Sequence, residues 1–516
     1  MNWIDRIVAS VAPERGLRRQ TARQAMAYYE AARESRFRKF HLDGGHPDNL
    51  VRMGAKAVRD QARYLERNHD IARGILRTIT NNVVGPHGIG VEPQPRRADG
   101  GIHDEFAAQI RALWADWQRR PEVTWRLNFS KLQRAMVRTW MRDGEALAQM
   151  ISGPVIGLDH GTRVPFSLEA FEPDFLPLDY DNQAEGIRQG VEINAWGRPR
   201  AFHFHRRHPQ DSLAAARDGY KRISAQDVLH VFNCDRLHQA RGVSEFASVL
   251  GRLEDVRDYE ESERVAAKLA ARLTMFVRRG SPEAYDPETD PRARDASGAA
   301  VPRELGLEAG TILDTFGPGE DVKLIDTKRP NVNAITWRQG QLRAVAAGVG
   351  ASYSSIARDY NGTYSAQRQE LVEQWVNYAT LTDDFCGMFI RPVWTRFIQA
   401  AVLSGALRVP ADVTPESVDD AIFIGQSMPW IDPGREADAW TTLTKAGFAS
   451  EPEVIRRRGG NPRDVLEQIA AWRRDVAAHD LVFNSNAATP DGQPAAAQPT
   501  PDAALQSPQL PEEGSA

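Results

Sequence analysis

The stretch from Ser244 to Val277 holds no proline and one glycine, Gly251, between Gln239-Ala240-Arg241-Gly242 and Gly280-Ser281-Pro282. Its about 34 residues predict one helix roughly 50 Å long, unusual in length for a soluble domain. Phe246, Val249, Leu250, Leu253 and Val256 keep a three-four apolar spacing, which Ala266, Leu269, Leu273 and Phe276 resume after a gap. In the gap, Glu254, Asp255, Asp258, Glu260, Glu261 and Glu263 stand against Arg257 alone. Glu254, Asp258 and Glu261 recur at i, i+4, i+7, so one face of the middle of the helix is acidic. The plainer reading of the same pattern is a solvated face with Arg257–Glu261 and Glu260–Arg264 pairs.

A chain of 516 residues, 41% hydrophobic and 26% charged, has room for two to four domains of soluble character. No apolar run approaches the length of a membrane span, and Asp5 and Arg6 stand where a signal peptide would be apolar, so an intracellular protein without a membrane association is expected. Cys234 and Cys386 lie far apart, without a C-x-x-C partner, and read as buried small hydrophobes. Net charge is −4, but its distribution is uneven. The first 82 residues carry clusters such as Arg36-Phe37-Arg38-Lys39, and no Lys or Arg follows Arg474.

Leu17–Phe40 is expected as a helical arm and Asn49–Thr80 as a second helix. The glycine-rich run Gly85-Pro86-His87-Gly88-Ile89-Gly90 lacks the lysine and following helix of a phosphate loop, and reads as a helix end entering a strand. Asp104–Trp117 and Lys131–Met141 are helical. Strands are expected at Leu168–Phe171, Gly190–Asn194, Ala201–His205 and Val228–Phe232. In the run Phe202 to His208, alternation turns Phe202 and Phe204 inward and His203 and His205 outward, with no carboxylate or cysteine nearby to complete a zinc site. Ser281–Glu304 is proline-rich loop, and Thr311–Leu313 and Val322–Ile325 are short strands in a small insertion. A helix over Ala334–Ala347 leads to the polar segment Ala351–Thr363, then to a long helix from Tyr364 to about Leu403, bent at Gly387 and Pro392. Asp438–Gly447 and Asn461–Ala478 are helical, and the Ala/Pro/Gln/Ser-rich chain beyond Asn484 is expected to be a disordered tail.

Motifs of catalysis are missing from the sequence: no G-x-x-x-x-G-K-[ST], H-E-x-x-H, G-x-S-x-G or EF-hand loop occurs. No enzyme, metal or cofactor is expected.

A series of short motifs resembles the lambda family of phage portal proteins. They are Arg67-Asn68 with Asn82-Val83-Val84-Gly85; Asp143-Gly144-Glu145; Gly190-Val191-Glu192 with Gly197-Arg198-Pro199; and Val228-Leu229-His230 with Arg236, Gln239 and Arg241-Gly242-Val243-Ser244. Pro318-Gly319-Glu320, Arg343 to Gly348, Asp359-Tyr360-Asn361 with Tyr364-Ser365 and Arg368, and Trp430-Ile431-Asp432-Pro433 continue it. Each is weak alone, and their order from about Leu50 to Trp472 makes the resemblance specific. Ser352 stands where that family often has proline, and Ala366 where it often has serine.

The resemblance implies an α+β portal fold with an α/β wing, a long helical stem, a small α/β clip and a helical crown. It divides the chain into an arm (1–49), wing (50–242), first stem helix (243–277), clip (278–333), second stem helix (334–350), tunnel loop (351–363), long bent helix with the rest of the wing (364–433), crown (434–483) and tail (484–516). It also implies a ring of about twelve copies at one capsid vertex of the virion, assembled in the host cytoplasm, through which double-stranded DNA is packaged and ejected. A terminase large subunit, major capsid and scaffold proteins, and a head-tail adaptor are the implied partners. Twelve helices about 10 Å apart enclose a lumen of roughly 28 Å. On this reading Glu254, Asp258 and Glu261 line the channel, and Ser354, Ser355, Arg358, Tyr360 and Asn361 of the loop touch DNA. A helical capsid scaffold, or a DNA-binding packaging accessory protein without a channel, is the alternative.

Overall fold

The computed structural model describes residues 14, 44–211, 219–272, 276–279, 320–323, 331–428 and 432–479. The arm helix, the loop Ser281–Glu304, the strand Thr311–Leu313 and the tail lie outside the described residues. Helix and sheet are mixed throughout, and no described helix is long and apolar enough to cross a membrane.

Two helices, Pro47–Asn68 (α1) and Asp70–Val84 (α2), replace the single helix expected over Asn49–Thr80. His69 between them is extended, and its Nδ1 accepts the Ile71 amide at 3.1 Å, so a side chain interrupts the backbone ladder. At the far end of α2, Gly85 has φ +75° and donates its amide to the Asn81 carbonyl, the glycine-ended helix expected before strand Gly90–Pro93 (β1). Asp104–Trp117 (α3) and Phe129–Asp143 (α4) come next. The strands Glu145–Ser152 (β2), Phe166–Phe171 (β3), Ile187–Arg188 (β4), Val191–Ile193 (β5), Pro199–His205 (β6), Tyr220–Ser224 (β7) and Val228–Phe232 (β8) follow. The chain continues through Leu250–Arg272 (α5), Phe276–Arg279 (β9), Glu320–Lys323 (β10), Val332–Gly348 (α6) and the short helix Tyr353–Ala357 (α7). Last come Tyr364–Phe385 (α8), Arg391–Leu403 (α9), Ala421–Ile424 (β11), Pro433–Lys445 (α10), Glu451–Arg457 (α11) and Pro462–Ala478 (α12).

Contacts divide the chain into two units, one of Met1–Thr78, Met136–Ile151 and Leu168–Thr363, the other of Ile79–Ala135, Ser152–Ser167 and Tyr364–Ala516. In the first, an antiparallel sheet in the order β4-β5-β6-β7 and a three-stranded sheet β3-β2-β8 share a core of Leu147, Phe171, Leu176, Val191, Phe202, Phe204, Ile223 and Val228. The end of this core is closed by ions instead of hydrocarbon. Arg241 is fully buried; its guanidinium grips the buried Glu145 carboxylate at 2.6 and 2.9 Å and donates to the carbonyls of Gln189 at 2.8 Å and Leu176 at 3.0 Å. His230 Nε2 lies 2.9 Å from the same carboxylate. Burial alone would push the Glu145 carboxyl up, but Arg241 and His230 hold it far below the ordinary carboxylate range. Around this pair the backbone is pressed together. Gly144 has φ +90°, and a Cβ on it would stand 2.2 Å from the Val243 carbonyl carbon; one on Gly242 would stand 2.1 Å from the Gly144 oxygen. The motifs Asp143-Gly144-Glu145 and Arg241-Gly242-Val243-Ser244 are thus the two sides of one contact.

The second unit is centred on aromatic rings. Trp114 and Trp117 of α3 stack with centroids 4.7 Å apart, and Trp394 and Phe397 of α9 meet Trp114 at 5.2 and 4.9 Å. Trp117 donates its indole N–H to the Phe166 carbonyl and Trp394 to that of Asp419, both at 2.8 Å, so neither buried donor is orphaned. The bend expected at Gly387 and Pro392 is a π turn at Cys386–Ile390, where the Arg391 amide reaches back to the Cys386 carbonyl. Pro392 has no N–H and its ring crowds the carbonyl four residues earlier, which a wider turn accommodates. The strand pair β1–β11 is antiparallel, and α10, α11 and α12 each begin on a polar cap, Asp432, Ser450 and Asn461.

Removing one partner of a buried pair leaves the other charge uncompensated at a cost of about 3–5 kcal/mol. Arg241→Met therefore lowers the urea midpoint of the first unit's transition sharply and makes the loss less acid-dependent than in the parent chain. Because the folded-state pKa of Glu145 is depressed, its contribution is present above the ordinary glutamate range and is lost as pH falls towards the folded value. A parent-chain midpoint that does not fall between pH 7 and pH 3 would contradict this role.

Candidate functional site

The helix expected from Ser244 to Val277 is shorter at both ends. Ser244 Oγ accepts the Phe246 amide at 3.1 Å and starts a 3-10 turn over Glu245–Ser248, after which α5 begins at Leu250. At the other end, Phe276 and Val277 belong to β9, which pairs antiparallel with β10 in the register Phe276 to Lys323 and Arg279 to Glu320. Strand pairing across the insertion thus wins over continuation of the helix.

The apolar positions Phe246, Val249, Leu250, Leu253 and Val256 are buried, as their spacing requires. A second flank of α5 is bound to α6: Arg252 donates to Gln341 at 2.8 Å, Tyr259 packs on Trp337 with centroids 4.3 Å apart, and Glu260 pairs with Arg338. Arg252 meets Gln341 and, two turns further along α5, Tyr259 meets the earlier Trp337, so the two helices are antiparallel. They approach closely at one end, where a Cβ on Gly348 would stand 2.6 Å from Val249 Cγ1. Arg257 leaves the acidic face for the Tyr64 ring of α1, 5.3 Å from its centroid, so the expected Arg257–Glu261 pair does not form. Nor does Glu260–Arg264: Arg264 pairs with Glu261 at 3.2 Å.

Glu254, Asp258 and Glu261 are all exposed, together with Asp255. Successive residues of a helix turn by about 100°, so Glu254, Asp258 and Glu261 share an arc roughly 80–140° round from the buried Leu253, on the side away from the Arg252 and Tyr259 flank that binds α6, with Asp255 farther round. Neither Glu254 nor Asp258 has an ion pair among the described residues. The grouping of this face is a property of α5 alone and was readable from the i, i+4, i+7 spacing. The α6 partners of its flank were not readable, because nothing in the sequence orients two helices separated by about sixty residues.

The polar segment Ala351–Thr363 is more ordered than a loop. Ser352 Oγ accepts the Ser355 amide at 3.2 Å and caps α7, and Ile356 is buried and anchors the segment. Ser354 and Ser355 are half-buried in α7, whereas Arg358, Tyr360 and Asn361 are exposed. Arg358 ends α7 with φ +55°, a left-handed cap where glycine is usual. The segment is tied down by Tyr353, whose hydroxyl donates to Asp359 at 2.9 Å while Arg343 of α6 lies 5.0 Å over its ring. That hydrogen bond lowers the Asp359 pKa; burial first, then Asp359, raises that of Tyr353.

The histidine run departs from strict alternation. His203 is buried, its ring 5.4 Å from Tyr180 and its Nε2 3.7 Å from Glu192, because the outer face of the sheet is itself covered. Carboxylates do stand near the run, contrary to expectation. Glu172 and Asp174 gather about His208 with ligand atoms within 4.8 Å, but Arg63 already pairs with Asp174 at 2.6 Å and lies 3.8 Å from Glu172, so a cation of the protein fills the place of a metal. Cys386 is buried, with burial pushing its thiol up to about 12, but Cys234 is exposed on the turn before Arg236.

The family model for phage portal protein, lambda family, matches residues 33–381. A protein of Halomonas phage phiHAP-1 named "Probable portal protein" is 26% identical over 435 residues, covering 83% of this chain and 82% of its own. Portal protein B of Escherichia phage lambda is 22% identical over 178 residues, 33% of each chain. Among solved structures, a chain from the neck of an empty gene transfer agent (GTA) particle is similar over 82% of this chain and 95% of its own, with 14% identity and a TM-score of 0.41. With the family model spanning well over half its length, the chain belongs to the lambda family of phage portal proteins.

Proposed function

We propose that the chain is the repeating subunit of a closed ring, of about twelve copies, that forms the DNA channel at one vertex of a phage capsid. Family membership supports the portal role, and the exposed acidic arc of α5 is the observation that carries the channel reading. In this assignment 243–277 and 334–350 contribute the stem, 278–333 the clip, 351–363 the tunnel loop and 434–483 the crown. The wing is 50–242 with part of 364–433. The chain itself is structural. A separate terminase large subunit supplies ATP hydrolysis, capsid and scaffold proteins surround the ring, and an adaptor joins it to the tail in the virion.

A channel through which DNA slides needs low friction. Each phosphate neutralised by a lysine or arginine releases condensed counterions and strengthens the complex, which opposes sliding. A lumen lined by Glu254, Asp258 and Glu261 offers no such neutralisation. Like charge on every side instead repels the duplex towards the axis. At the loop, Arg358, Tyr360 and Asn361 supply the exposed donors for sequence-independent phosphate contact, with Ser354 and Ser355 beside them. Arg358 is the single lysine or arginine of the segment, which allows brief contacts without a continuous basic track.

Two experiments test these assignments. The combined substitution Glu254→Lys, Asp258→Lys and Glu261→Lys replaces only exposed side chains, so rings form normally while DNA packaging falls at least tenfold; packaging at the parental rate would exclude a lumen role for this face. A photoreactive residue at position 358 labels DNA in filled particles and not in empty ones. Labelling of a neighbouring subunit alone, in both kinds of particle, would make the loop an interface element.

A further inference from the structure

A hollow of about 450 Å³ opens between α1, α2 and α4 in the first unit, and five arginines line it: Arg63, Arg67, Arg73, Arg138 and Arg142. Most of their charge is already balanced. Arg63 is held by the buried Asp143 at 2.7 Å and by Asp174; Arg142 by Glu66 at 2.9 Å and Asp143 at 2.7 Å; Arg138 also by Glu66. With Arg59, whose charge acts on Asp174, and Glu172 on the wall, four cations stand against four carboxylates. Arg67 and Arg73 remain. Both are exposed, and neither has an ion pair among the described residues. Asp70, close to them in sequence, is engaged elsewhere, with the Ile71 amide at 2.8 Å and His69 at 3.4 Å.

We infer that this hollow is a docking site for an acidic peptide segment of a partner protein, in which Arg67 and Arg73 receive two carboxylates. The surplus of two positive charges sets the complement. A guanidinium presents parallel N–H groups that match a carboxylate in a bidentate fashion, and a wall of arginines fixed by buried acids reorganises little when the segment arrives. Duplex DNA fits less well. Its strands carry a phosphate about every 3.4 Å along a convex rod, which brings a row of anions onto the half-exposed Glu172 carboxylate at the edge and leaves the concave floor empty. A peptide side chain reaches that floor.

Fluorescence anisotropy of fluorescein-labelled hexaglutamate, added to the full-length assembled protein at low salt, tests the inference. The parent protein binds the peptide, binding weakens as salt rises, and the Arg67→Glu, Arg73→Glu double variant binds at least tenfold more weakly. Arg67→Lys with Arg73→Lys retains the charge but loses bidentate geometry, and falls between the two. A 20-base-pair duplex does not displace the peptide. No binding by the parent, equal binding by the glutamate variant, or displacement by duplex at lower concentration than by unlabelled hexaglutamate would each overturn it. The single variants Arg67→Glu and Arg73→Glu, each weakening binding at least threefold, serve as the same test if the double variant does not fold.

Discussion

The buried Arg241–Glu145 pair is the contact on which the geometry of the first unit rests. One guanidinium ties β2 to the chain entering α5 and also satisfies the carbonyls of Gln189 and Leu176, so strand, loop and helix start are fixed at one point. A buried ion pair is a poor source of net stability compared with hydrocarbon, and its value lies in tolerating no substitute geometry. The glycines at 144 and 242 exist for the same reason: the backbones meet too closely for any side chain.

Helix α5 has three environments around its circumference. Apolar residues seat it, Arg252, Tyr259 and Glu260 bind it to α6, and the remaining arc carries carboxylates with little compensation. Such an arc adds no stability to an isolated subunit, since like charges on one helix face repel. Its presence is understandable if a polyanion must pass it without binding. The cations that would have neutralised it are spent elsewhere, Arg257 on Tyr64 and Arg338 on Glu260.

Local pattern made much of this legible in the sequence. Apolar spacing located α3 and the buried face of α5, and Gly387 with Pro392 located the π turn, because each depends on residues within a few turns of one another. What the sequence did not disclose depends on distant partners. α5 is shorter than its sequence pattern predicts because β9 is a strand by virtue of pairing with β10, and the break at His69 follows from one imidazole competing for a backbone amide. Alternation alone turns His203 to solvent, whereas Tyr180 and Glu192 cover it. The segment 351–363 reads as polar, yet Ser352 and Ile356 cap and anchor a helix within it. The chemistry of the acidic face was visible in one dimension; its surroundings needed three.

A channel lined by the acidic arc requires one orientation of α5 in the assembled ring. Electron cryomicroscopy of the purified oligomer, at a resolution that shows side-chain density on the stem, measures it directly. The expected result is a closed ring with Glu254, Asp258 and Glu261 of every subunit directed at the central axis, and the face bearing Leu253 and Val256 directed away from it. Density placing those three carboxylates against a neighbouring subunit, or particles with no central channel, would contradict it.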